Sequence, residues 1–182
     1  QAATQYYRWG VKAGMTDNLA AILPELNKET GQNLTAADYA QIEQRDMANY
    51  RFTNYVQLSG GVPVQGAMIR TWVDLKSNNI VQMEAHVEAV INTSLRAAVL
   101  KQKNSGFSAL KSTMKKLDTM AFVREGVKRN RDDQRIGNVK YVDQWNNMDL
   151  QRRILVTGKH GTHVITVSHM SKAIVSYEYK EF

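Results

Sequence analysis

Hydrophobic and polar positions change period several times along this chain. Tyr50, Phe52, Val56 and Leu58 alternate with Arg51, Thr53 and Gln57, the period-2 pattern of a half-buried strand. Beyond Gly60-Gly61, Ile69, Val73 and Leu75 share one face while Arg70 and Asp74 take the other. Lys76-Ser77-Asn78-Asn79 then reads as a turn, and Val81, Met83, Ala85 and Val87 alternate with Gln82, Glu84, His86 and Glu88. Residues 50–90 are therefore expected to form antiparallel strands.

Elsewhere the period is helical. Thr16 or Asp17 can cap a segment through Leu19, Ile22, Leu23 and Leu26 that stops near Gly31, with Pro24 expected to separate its first turn. Thr35 is expected to cap a second helix from Ala36 to about Arg45. Thr93 or Ser94 caps a short helix through Leu95, Ala98 and Val99. A break at Ser105-Gly106 is expected before a longer helix with Phe107, Leu110, Met114, Leu117 and Ala121 on one face. Its methionines read as core filler. Alternation returns at Ile154–Thr157 and His163–Ser168, a hairpin around Gly158-Lys159-His160-Gly161, and again at Val175, Tyr177 and Tyr179. Helix-and-strand patterning thus occurs twice, with a boundary near Asn92.

With 182 residues and 43% hydrophobic content, the chain can bury one sizeable core or two small ones. No run approaches the roughly 18 consecutive apolar residues of a membrane span. No signal peptide is visible, since Gln1-Ala2-Ala3 leads directly into polar sequence. The absence of cysteine excludes disulfides, thiolate zinc sites and cysteine nucleophiles. The net charge of +7 and pI near 9.6 allow an acidic partner, whether nucleic acid, anionic lipid or an acidic protein, while solubility is the plainer reading and is preferred to nucleic-acid binding. The basic stretch from Lys111 to Arg135 carries few aromatics where charge is dense, so it reads as a solvated helix face and loop, or as a dock for an acidic protein. Nucleic acid is not the expected partner.

The chemistry-bearing residues form no recognisable reaction site. His160 and His163 flank Gly161 in a turn, without the carboxylate or third ligand that a zinc site needs, and read as surface histidines, as do His86 and His169. Asp132-Asp133 lies in a charged loop. Ser59 lacks the glycine spacing of a nucleophile elbow, and no phosphate-cradling Gly-rich loop occurs. No catalytic, cofactor-binding or metal residues are expected.

The dense backbone signature from Tyr55 to Ile69 is more specific. Gly60-Gly61 suits a tight reversal, Pro63 removes a ladder donor where the next strand starts, and Gly66 suggests a bulge or close backbone approach. Through Gln57, Gly61, Val62, Pro63, Val64, Gly66 and Ile69 the segment resembles the fungalysin/thermolysin propeptide (FTP) motif. The second half is more weakly similar to the PepSY domain that commonly follows FTP, although Ser168-His169-Met170-Ser171-Lys172 replaces the usual turn between its last strands.

The resemblance implies an FTP-like domain over residues 1–92 and a divergent PepSY-like domain over 93–182. The expected class is α+β, as two small antiparallel-sheet-plus-helix, cystatin-like units. It further implies a non-catalytic prosegment of a secreted thermolysin-like metallopeptidase, acting as folding assistant and inhibitor of the cognate catalytic domain. That places the chain outside the cell or in the periplasm, with a signal peptide already removed. Tyr177, Tyr179 and Phe182 are the expected partner contacts. The alternative is a free-standing exported module that binds a peptide, polymer or envelope component. A small hydrolase with an unrecognised site is the third reading.

Overall fold

The computed structural model describes residues 4–10, 15–88, 93–108, 138–157 and 160–182. The chain divides into two compact units, Gln1–Thr93 and Ser94–Phe182.

The first unit contains β1 (Thr4–Gly10), α1 (Leu19–Thr30), a 3-10 turn (Ala36–Asp38), β2 (Tyr39–Met47), β3 (Tyr50–Ser59), β4 (Val62–Asp74) and β5 (Ile80–Glu88). Its strands lie in the order β1-β5-β4-β3-β2, every neighbour antiparallel. Tyr55, Ile69 and Ala85 occupy one cross-strand rung, and Thr53, Thr71 and Met83 the next. α1 lays Ile22, Leu23 and Leu26 onto a core formed with Tyr55, Ile69, Val73, Met83, Ala85 and Val87. The i, i+1, i+4 spacing of its three buried residues gives one helical face, so the two periodicities meet at one apolar layer.

Both ends of α1 are closed chemically. Asn18 accepts the Ala21 amide at 2.8 Å, and Gly31 adopts a left-handed φ of 69° while its amide bonds the Asn27 carbonyl. Pro24 does not separate the first turn as expected; it lies inside a continuous helix. The carbonyl it leaves unbonded is that of Ala20, and both residues are on the exposed side, where water can satisfy it.

The second unit contains α2 (Thr93–Ser108), β6 (Asn138–Asn146), β7 (Asp149–Thr157), β8 (Gly161–Ser168) and β9 (Ile174–Glu181). Its order is β6-β7-β8-β9, again antiparallel, with Tyr141, Ile154, Ile165 and Tyr177 in one row. α2 turns Leu95 outward, 55% exposed, and buries Arg96. The Arg96 guanidinium lies 4.9 Å from the ring centre of fully buried Trp145 and donates to the Asn147 carbonyl at 2.5 Å.

These elements correct the expected fold class. The chain is not two small sheet-plus-helix units of the α+β class: its described residues form a sheet-dominated architecture, nine strands against two α-helices. The segment read as a helix from Ala36 to Arg45 accounts for part of the difference. Asp38 does accept the Thr35 amide at 2.7 Å, one half of a capping box, and returns its own amide to the Thr35 carbonyl at 2.9 Å, but this closes only the three-residue 3-10 turn, after which the chain extends as β2 against β3. Strands β1 and β6 lack clean alternation and were not expected. α2 runs through Ser105-Gly106 without the expected break. The longer helix expected over 107–121 and the basic stretch 111–135 lie outside the described residues, apart from Phe107 and Ser108 in α2.

Candidate functional site

The Tyr55–Ile69 segment is a backbone device. Gly60 and Gly61 connect β3 to β4 with φ of 58° and 78°, the positive values required at both central positions of a type I′ hairpin. Val62 opposes Ser59, and Pro63 opposes Leu58. The ladder then jumps to Val56 against Met68, so Val64 to Ala67 form an irregularity opposite the single residue Gln57. Gly66 sits inside it with φ of 79°. A Cβ there would meet nothing within 4 Å, so glycine is required for its backbone angle and not for space.

Gln57 exploits the irregularity. Its buried side chain donates to the Glu88 carbonyl and accepts the Glu88 amide, both at 3.0 Å. The amide thus behaves as a missing strand neighbour at the end of β5. Val64 is buried and Val62 and Pro63 half-buried, which makes this group a structural clamp.

A second constellation was not visible in the sequence as a site. Asp17, one residue before the cap of α1, accepts hydroxyls from Thr53 at 2.9 Å, Thr71 at 2.9 Å and Tyr55 at 3.2 Å. Burial, followed by the Asp17 charge and hydrogen bond, pushes the Tyr55 phenol well above its ordinary range. Three neutral donors around one carboxylate form a pin between helix and sheet.

The expected partner contacts divide. Tyr177 and Tyr179 lie on one face of β9 against His163, whose Nδ1 is 2.6 Å from the Tyr177 hydroxyl and whose ring centre is 4.7 Å from that of Tyr179. Gly161 makes room for Tyr179: a Cβ there would stand 2.6 Å from the Lys180 carbonyl oxygen and 2.7 Å from the Tyr179 ring. Phe182, by contrast, is 79% exposed.

Two histidines read as surface residues are interior. His163 and His169 are buried, the latter with Nε2 3.4 Å from the Gln102 carbonyl; His160 is exposed. Among the described residues no three His, Asp or Glu side chains gather where one ion could be held. No described helix is long and apolar enough to cross a membrane.

No family model matches the chain, and no curated protein matches it. Among solved structures it is similar to the Bacillus megaterium YpeB C-terminal domain, with 11% identity and a TM-score of 0.35 over 96% of this chain and 70% of that one. Likeness at that level assigns neither fold nor function, and the FTP and PepSY motifs stay a resemblance.

Proposed function

We propose that the chain is a non-catalytic protein-binding module that acts by occupying its partner. The observation that carries this reading is β9. It pairs only with β8 among the described strands, and it exposes Val175, Glu178 and Lys180 before ending beside exposed Phe182. A strand edge of this kind offers backbone donors and acceptors to an extended segment, while alternate side chains supply selectivity. The side chains most able to do chemistry support the same reading, because Asp17, Gln57 and His163 are engaged in holding the fold.

The partner we propose is the catalytic domain of a secreted thermolysin-like metallopeptidase, with the chain serving as its folding assistant and inhibitor. This finer step rests on the FTP–PepSY resemblance and carries the extracellular or periplasmic location with it. Inhibition requires only that a strand and its aromatic side chains fill a cleft, and folding assistance requires only preferential binding to the native-like state. Titrating the chain into thermolysin-like proteases tests both. The expected result is saturable inhibition, faster recovery of denatured protease, and at least about tenfold weaker inhibition by Phe182→Ala. No inhibition and no refolding effect with any such protease would overturn the prosegment reading. Binding of extended peptides without inhibition would move the chain to the free-standing module.

A further inference from the structure

We infer that β2 is a self-association edge through which two copies of this chain pair in one antiparallel register. β2 pairs with β3 on one side, and every residue from Gln41 to Tyr50 is exposed. Charged residues on such an edge ordinarily repel foreign strands. Here the order of signs matters. Glu43 and Arg45 are two residues apart on the same face, their side chains 43% and 60% exposed and 3.4 Å apart. Arg45 is also held over the Phe52 ring at 5.3 Å, which fixes the face it presents. The ladder irregularity lies between Gln41 and Glu43, so Glu43 to Met47 run in regular register from Asn54 to Tyr50.

A second copy added by a two-fold axis must match pleat to pleat, so the axis passes through a residue and not between two. An axis through Glu43 sets Glu43 against its own copy. One through Arg45 sets two arginines together. Both place like charges directly opposite, which is destabilising. An axis through Gln44 instead sets Glu43 against Arg45 of the second copy and repeats that pair by symmetry. An axis through Asp46 again opposes like charges, so within the regular stretch from Glu43 to Met47 the Gln44 axis is the one that pairs opposite charges. Because the regular stretch is short, the contact belongs with small, reversible interfaces.

Sedimentation equilibrium across a concentration series tests this, since both side chains are exposed and their exchange leaves the core untouched. Wild type is expected to dimerise reversibly, more weakly at high salt. Glu43→Arg and Arg45→Glu alone are each expected to raise the dissociation constant at least about tenfold, because each replaces two opposite-charge pairs by two like-charge pairs. The double exchange E43R/R45E restores the homodimer, and mixing the two single variants gives the mixed dimer. A wild type that stays monomeric at millimolar concentration overturns the inference. So does a Glu43→Arg variant that associates as well as wild type, or a mixture that does not associate better than its components.

Discussion

Two amide side chains in the first unit do the work of missing backbone. Gln57 brackets Glu88, and Asn27 brackets Leu34, accepting its amide at 2.8 Å and donating to its carbonyl at 2.9 Å. Removing such a side chain orphans a buried donor and acceptor together. Gln57→Ala is therefore expected to lower stability by about 2–4 kcal/mol in urea unfolding, and a loss below about 1 kcal/mol would mean that the Glu88 groups find other partners. Tyr39 presents the opposite case. Its buried hydroxyl finds no hydrogen-bond partner among the described residues, and burial, then the Asp38 charge, pushes its ionisation far above the ordinary value. The fold thus holds the neutral phenol. That contribution is complete below the unfolded value of about 10 and is lost as pH rises above it. Tyr39→Phe is expected to match or exceed wild-type stability at neutral pH, by up to about 1 kcal/mol, and to lose less on moving to about pH 10.5. Urea midpoints at the two pH values check this; a variant equally sensitive to alkali would exclude Tyr39 as a source. The glycines of the Gln57 neighbourhood were legible because positive-φ turns have few residue solutions. What Gln57 itself bonds was not, since Glu88 lies 31 positions away.

Elements are held in place by contacts even longer in sequence. Asp17 reaches Thr53, Tyr55 and Thr71 across 36 to 54 positions, so neither periodicity nor a local motif could announce the pin. Asp17→Ala leaves three hydroxyls without their shared acceptor and should cost about 3 kcal/mol. Hydrogen exchange should then quicken at Ile22 and Leu23 more than in β4; uniform acceleration would show that the pin does not act on α1 in particular. Local signals misled where tertiary pairing outweighed them. The Asp38 carboxylate does cap the Thr35 amide yet starts no α-helix, because β3 takes the following residues as a neighbour. Likewise Pro24 fails to end α1, because Ile22, Leu23 and Leu26 on either side are fixed to the sheet. In the second unit Gly161→Ala is expected to destabilise, since its Cβ would meet backbone as well as the Tyr179 ring. Loss of the His163–Tyr179 contact should appear as a shifted His163 ring resonance, and an unchanged resonance in a fully stable variant would contradict the packing argument.

The whole chain is led by its sheets, and alternation alone underestimated them. Strands with buried residues on both faces do not alternate cleanly: β7 begins at Asp149, ahead of the alternation at Ile154–Thr157, and its adjacent Leu150 and Gln151 are both buried. Strand order also sets what each piece needs in order to fold. In the first unit β5 lies between β4 and β1, with Thr4 paired to Glu88, so the first strand waits for the last. β5 also supplies Met83, Ala85 and Val87 to the core under α1, whose described members all belong to the first unit. A chain ending at Thr93 should therefore unfold cooperatively with slow exchange at Ile69 and Ala85. One ending at Asp74 should not fold, because it lacks β5, the strand between β4 and β1 that completes the apolar layer. A chain beginning at Met15 and ending at Thr93 loses the outer strand β1 but none of the core residues under α1, and should keep that core at reduced stability. Denaturant unfolding of the three pieces separates these outcomes. If the piece ending at Asp74 folds as well as the one ending at Thr93, the core does not depend on β5, and the order β1-β5-β4-β3-β2 does not control assembly.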